Sequence, residues 1–290
     1  MTPDEPPILE LRGFHYTYLD GTPRANEAIR DVSFAIRRGE RVAIVGPTRS
    51  GKSTVVDSFA NLLRLKSGQV FYKGDDVAAP GYDRGALRRK VGIVFQRPDS
   101  QLIEDVVGAD VAFGPTAAGI PAEETRRRVE ESLNALGLPY ADFRLRYVHA
   151  LSGGQRRRVA IAGVIAMRTP VLVLDEPMAG LDPRGRRELL GLLRRLADDR
   201  DLTLVVCSAS LGDASLLCDR VVVLSEGRVA MDGPLREVLR EADRLAELDV
   251  TLPEPVEGAR ELRKLFPDLP VDILTEEELE AELLKRLGVA

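Results

Sequence analysis

An apolar run that ends in a glycine-containing loop with a lysine leaves a chain few ways to fold. Residues 41–54 read RVAIVGPTRSGKST. VAIVG has the character of a buried strand, GPTRSGKS fits G-x-x-x-x-G-K-[ST], and KSTVVDSFANLL behind it has helical spacing. Strand, loop and helix in that order let successive backbone N–H groups wrap an anion, with the helix N-terminal dipole behind them. In such a loop Lys52 reaches the β- and γ-phosphates and the Ser53 hydroxyl ligates Mg2+. Gly46, Pro47, Thr48, Arg49, Ser50, Gly51 and Thr54 complete the cradle. Arg49 is its oddity. An arginine is costly there only if the backbone needs a positive φ or a close approach. Its side chain either faces solvent or places a cation near the phosphates or a partner subunit.

The rest of the chain supplies the sheet that such a loop needs. SFAIRRGERVAIVG reads as a strand, a turn at Arg38–Gly39 and a second strand, and VGIVFQ (91–96) is a further short strand. A segment of different character follows at about 97–150, where Val129, Leu133 and Leu136 fall at helical spacing. SGGQRRRVAIAGVIAM turns and then becomes helical, VLVLDEP (171–177) is a buried parallel strand, and RGRRELLGLLRRLAD is an amphipathic helix. LTLVVCS and RVVVLSEGRVAMDG add strands, the last pair a hairpin through Glu226–Gly227. Alternating strands and helices imply a parallel α/β sheet with its site at the strand ends. There Asp175 is placed to hold Mg2+ and Glu176 to polarise an attacking water. From about residue 243 the chain is acidic and punctuated by proline. Thr275 and Glu278 have capping-box spacing, and Leu279, Leu283 and Leu287 share one helix face, as expected of a small module packed on the main domain or on a second copy.

A net charge of −5 and a pI of about 5.4 exclude the basic footprint of a nucleic-acid binder. The runs TRRRVEE and GGQRRRVA do not change that; the first is flanked by acids and reads as a solvated helix face. Two cysteines, Cys207 and Cys218, make no disulfide framework and suit a reducing cytosol. The acidic N-terminus has no apolar core and is no signal peptide. The apolar run VAIAGVIAM stops at Arg168, well short of the ~18 residues of a membrane span. The expectation is a chain that does not cross a membrane but can dock on a protein that does.

LSGGQ (151–155) opens a helix on a Ser-Gly-Gly turn, a second ready-made anion site. With the phosphate loop, FQ at 95–96, DEP and AGLDP (179–183), in this order and spacing, the chain resembles the nucleotide-binding subunits of ABC transporters over about residues 8–240. The resemblance implies a P-loop NTPase, RecA-like α/β core with an inserted helical subdomain. The division is an ATP-binding domain over 1–242, with the helical subdomain at about 97–155, and a helical extension over 243–290. It implies ATP and Mg2+ as cofactors and a head-to-tail dimer that sandwiches each ATP between one phosphate loop and the other subunit's LSGGQ. Carried over by motif, Tyr18 stacks on adenine. Gln96 senses Mg2+ and the attacking water. Ser152, Gly153, Gly154 and Gln155 face the γ-phosphate across the interface, where Asp182 also lies. VGIVFQRPDSQLIEDVVGADVAFGP and the tail DILTEEELEAELLKRL look like the energy-coupling factor branch. In that branch two ATPase subunits, often non-identical, sit beneath a membrane coupling protein and a substrate-binding membrane subunit and drive uptake of vitamins or of cobalt or nickel ions. That implies a peripheral subunit at the cytoplasmic face of the membrane, with Arg97–Gln101 lining the groove that receives the membrane partner. Asp99 is the residue whose charge reversal probes that groove.

The chain departs from the family where a histidine usually hydrogen-bonds the γ-phosphate. Here the strand reads TLVVCSASLGDA and Ala209 takes the position, while neither His15 nor His149 aligns with it. Loss of one preorganised donor costs about 10²–10³ in rate, roughly 3–4 kcal/mol. The expectation is a site that binds ATP through Lys52 and its loop but turns over slowly, in an unequal pair whose other site is completed by this chain's LSGGQ. A non-hydrolysing nucleotide-binding partner is the alternative; a cytosolic ABC ATPase of nucleic-acid maintenance lacks support, since no coiled coil, zinc module or second cassette is present. Met178, where the family often has threonine, is read as packing.

Overall fold

A computed structural model describes residues 5–198 and 202–288. The chain begins with β1 (Leu9–Tyr18), β2 (Asn26–Ile36) and β3 (Arg41–Val45), the last running into the phosphate loop and α1 (Lys52–Phe59). β4 (Val70–Tyr72), β5 (Asp75–Asp76), the short α2 (Arg84–Arg88) and β6 (Val91–Val94) follow. The next segment is helical: α3 (Val107–Ala117), α4 (Ala122–Ala135), α5 (Tyr140–Phe143) and α6 (Gly153–Ala166). β7 (Val171–Asp175), α7 (Pro183–Ala197), β8 (Thr203–Ser208), α8 (Leu211–Ala214) and the β9–β10 hairpin (Arg220–Ser225, Arg228–Pro234) complete the central sheet. α9 (Leu235–Arg240), α10 (Ala242–Glu247), α11 (Glu254–Leu262) and α12 (Glu276–Leu287) end the chain.

The central sheet has the order β10-β9-β3-β8-β7-β6, with β9 to β6 parallel and β10 antiparallel at the edge. Its strands alternate between two cores. Val45, Leu174, Val206 and Val223 face the helices of the insertion and the C-terminal segment. Ile44, Val173, Val205 and Val222 face α1 and a second, four-stranded antiparallel sheet of order β2-β1-β4-β5. That second sheet adds to the parallel architecture read from the sequence. It sets the end of β1 beside α1, which brings Tyr18 to the loop.

Val256, Ala259, Leu269, Val271 and Ile273 are buried in the same core as the central sheet. Thr251 bridges to Ser210, and its carbonyl accepts from the Leu211 N–H at 2.8 Å. Two details of α12 differ from expectation. Thr275 caps the Glu278 N–H at 3.1 Å, but the Glu278 carboxylate turns to the Leu274 N–H and Arg236 instead of closing the box. Leu279 and Leu283 pack on the core, whereas Leu287 is exposed because the helix stops at once on Gly288, at φ 68.

Candidate active site

The phosphate loop is held open by glycine where no other residue fits. A Cβ on Gly46 (φ 153) would lie 2.1 Å from the Leu224 carbonyl oxygen, and one on Gly51 (φ 107) 2.6 Å from Ile29 Cδ1. Gly51 is the N-cap of α1 and provides no side-chain cap. The first N–H groups of that helix are therefore left for an anion. Arg49 has φ 70, so the arginine sits in the left-handed region and its accommodation is not free of strain. Its side chain is exposed and lines a cavity of about 310 Å³ with Tyr18, Lys52, Ser53 and Thr54. Tyr18 stands edge-on to Tyr16 at 4.9 Å, and its hydroxyl is 3.1 Å from Thr54 Oγ1. Ser50 is buried beneath the loop, while Pro47 and Thr48 lie nearer solvent.

Lys52 Nζ donates to the carbonyls of Gly46 (2.7 Å) and Pro47 (2.9 Å), which folds it back across the loop. Burial lowers its pKa, against the pull of Glu176, Cys207 and Asp175. Ser53 Oγ donates to Asp175 Oδ2 at 3.5 Å. Burial, reinforced by neighbouring Glu176, pushes the Asp175 carboxyl up to about 6, with Lys52 opposing. A hydroxyl and a carboxylate this close are hard oxygen donors suited to Mg2+. The described residues contain no group of three or more His, Cys, Asp or Glu able to form a cage. Two protein oxygens completed by phosphate oxygens is the usual Mg2+ arrangement, so the residues fit the ion.

Glu176 follows Asp175 at φ 46, a left-handed peptide that turns the chain out of β7. Its N–H donates to the Cys207 carbonyl at 2.8 Å. Its carboxylate accepts from the Ala209 N–H at 2.8 Å and from Ser208 Oγ at 3.3 Å. Residue 209 thus contributes a backbone donor to Glu176, and its methyl side chain offers no donor to a phosphate. His15 is exposed, and His149, also exposed, stacks on Tyr147 at 5.4 Å.

Gln96 is exposed just after β6. Ser152 and Gln155 form a full capping box, each side chain accepting from the other's N–H, at 3.2 and 3.0 Å. The N–H groups of Gly153 and Gly154 have no acceptor among the described residues. The phosphate loop, Tyr18, Asp175 and Glu176 come together, but residues 152–155 share no hydrogen bond or cavity with them. Asp182 caps α7 by accepting from the Gly185 N–H at 2.6 Å, and Met178 packs on the core. Of Arg97–Gln101 only Gln101 lines the 260 Å³ cavity beside Ile103 and Phe113; the Asp99 side chain lies outside the described residues.

Two contributors escape a motif reading. Ser208 reaches Glu176 from the end of β8. Arg157, almost wholly buried, donates to the carbonyls of Gln96 (2.8 Å), Glu176 (3.1 Å) and Ala179 (3.1 Å). A signal for it existed: Arg157 falls on the helix stripe of buried Ala160, Ile161 and Val164.

A sequence profile of the family described as ABC transporter matches residues 29–179. The chain is 38% identical over 279 residues to the energy-coupling factor transporter ATP-binding protein EcfA2 of Caldanaerobacter subterraneus subsp. tengcongensis, covering 96% of this chain and 97% of that protein. It is 44% identical over 277 residues to the corresponding EcfA1 of Symbiobacterium thermophilum, covering 94% and 95%. Among solved structures, cbiO1 of Clostridium perfringens, described as part of the ABC transporter complex cbiONQ, superposes with a TM-score of 0.73 at 35% identity, over 91% of this chain and 97% of that one. A dimeric ATP-binding cassette in a post-hydrolysis state with ADP and phosphate gives 0.69 at 29% identity, over 78% and 98%.

Proposed function

This chain belongs to the ABC transporter family, among the ATP-binding ATPase subunits of energy-coupling factor transporters, and from that premise we propose that its own site binds MgATP firmly and hydrolyses it slowly. One observation carries the proposal: Lys52, Ser53, Asp175 and Glu176 converge, while residue 209 supplies only a backbone N–H and gives it to Glu176. The loop amides and Lys52 hold the phosphates, exchanging the carbonyl contacts of the Lys52 ammonium for phosphate oxygens. Tyr18 supports the base. Ser53 and Asp175 would hold Mg2+, which when bound would supply neutralisation of phosphate charge. Glu176, anchored by Ala209 and Ser208, accepts a proton from the attacking water, which Gln96 orients. A histidine donor to the γ-phosphate is the missing element, and about 10²–10³ in rate is the expected cost.

The unused N–H groups of Gly153 and Gly154 favour a second subunit whose nucleotide they receive. Relatives named EcfA1 and EcfA2 occur together in Caldanaerobacter subterraneus and match this chain almost equally, at 39% and 38% identity. That supports a pair of unequal ATPase subunits. The same pair docks on a membrane coupling protein and a substrate-binding membrane subunit at the cytoplasmic face. Among the described residues no helix is long and apolar enough to cross a membrane. Uptake of a vitamin or transition-metal ion is the process served. Ala209 also favours a second possibility, a subunit that binds nucleotide without hydrolysing it.

Steady-state hydrolysis of wild type, Ala209→His and Glu176→Gln separates these. Wild type slightly above the Glu176→Gln baseline, with histidine raising turnover about 10²-fold or more, supports the slow site. Wild type equal to the baseline supports the non-hydrolysing partner. Unmodified turnover of tens per second in the isolated chain refutes both.

A further inference from the structure

Arg157 joins three segments that the proposed reaction uses. It lies on α6, four residues after Gly153, so that one helix carries the signature turn at its tip and this guanidinium one turn later. The guanidinium is 5% exposed for the residue as a whole, and its donors reach the Gln96, Glu176 and Ala179 carbonyls. These belong to the loop after β6, the turn out of β7, and the approach to α7. A cation withdrawn from water persists only where well-placed acceptors replace its hydration. The planar fork of arginine can serve acceptors in several directions at once, which a lysine ammonium at the same site does not. The grip on Glu176 is on the peptide that must stay left-handed (φ 46) to aim the carboxylate.

We infer that Arg157 is a positioning residue that sets Gln96 and Glu176 from the signature helix, and thereby ties the chain's own hydrolysis site to the engagement of the signature turn it presents to a partner. This rests on the proposed ATPase function. A helix moves as a unit, so a nucleotide drawn onto the Gly153 and Gly154 N–H groups shifts Arg157 and the three carbonyls with it. Displacing a reacting group by about 1 Å costs about 10²-fold in rate, which makes this linkage a control on turnover and not on binding.

The test uses the full chain with the ATPase and membrane subunits that co-purify with it, as wild type, Arg157→Lys and Arg157→Gln. Thermal unfolding, ATP binding, hydrolysis and amide exchange with ATP present are measured on each. Both variants, carried on Ala209→His so that turnover stands well clear of the Glu176→Gln baseline, are expected to fold and to bind ATP like Ala209→His alone, with KM unchanged and kcat lowered about 10²-fold. Exchange should quicken at residues 95–97 and 176–180 but not at 46–54, and lysine should not rescue. A kcat equal to that of Ala209→His alone in either folded variant overturns the inference, as does a fall in kcat matched by lost ATP affinity. Failure of both variants to fold makes the contact a folding determinant and overturns it too. If wild type binds ATP but does not hydrolyse it, the proposed hydrolysis fails separately. Exchange at the two loops then decides on Arg157, and identical exchange in wild type and Arg157→Gln refutes it.

Discussion

Replacing Arg49 with glycine should stabilise the nucleotide-free protein. The arginine holds φ 70, and a left-handed L-residue costs roughly 1–2 kcal/mol that glycine avoids. Glycine gives back about 0.4–1 kcal/mol through the greater freedom of the unfolded chain. Little packing is lost, because the side chain is exposed. The net gain is about 0.5–1 kcal/mol. With roughly 2.1 cal/mol/K of unfolding entropy per residue, that is an upward shift of about 1–2 °C in Tm. Calorimetry of the nucleotide-free chain reads it directly. Titration with ATP then asks why the strain is kept. Strain of this kind concentrates at functional sites, and Arg49 shares a cavity with Tyr18, Lys52 and Ser53. ATP affinity should therefore fall in Arg49→Gly while Tm rises, and the loss should shrink from ATP to ADP to AMP as phosphates are removed. A lower Tm would refute the strain argument. An unchanged ATP affinity would assign the side chain to solvent.

Gly46→Ala should abolish ATP binding and lower Tm, since its Cβ would lie 2.1 Å from the Leu224 carbonyl oxygen and 2.8 Å from Ser50 Oγ; calorimetric titration checks the first and thermal unfolding the second. Leu269→Ala should cost about 3 kcal/mol in denaturant unfolding, because Leu269 is fully buried in the core shared with the central sheet; a cost near zero would mean that the C-terminal segment packs independently.

The parts of this molecule that were legible in its sequence are the local ones. The phosphate loop announces itself because strand, loop and helix adjoin, and β7 because four apolar residues run into Asp175 and Glu176. The four-stranded sheet was not legible. β1 pairs with β4 across some sixty residues, and β4 is only Val70–Tyr72, too short to show a period. Arg49 shows the limit of a consensus pattern, which leaves its position free whereas the backbone does not. Leu279, Leu283 and Leu287 share the face that their spacing assigns, but spacing does not say which of them is covered within one chain, and Leu287 is not. Arg157 stood in view within Arg156–Arg158. The two neighbouring arginines set it in a basic run, and only its apolar stripe marked it as internal.

The same distinction bears on whether one substitution can restore a missing donor. Residue 209 is not in a slack loop. Its N–H is bonded to the Glu176 carboxylate at 2.8 Å, the preceding Ser208 hydroxyl reaches the same carboxylate, and Ser210 and Leu211 are tied to Thr251. The backbone that would carry an imidazole is therefore already fixed against the Glu176 carboxylate on one side and the C-terminal segment on the other. A donor added there pays no cost of ordering a loop, and preorganisation is what gives such donors their effect. It follows that loosening Thr251 should blunt the gain from Ala209→His without touching ATP binding. Thr251→Gly combined with Ala209→His should turn over more slowly than Ala209→His alone. Equal turnover would mean that the segment after β8 needs no support from the C-terminal chain.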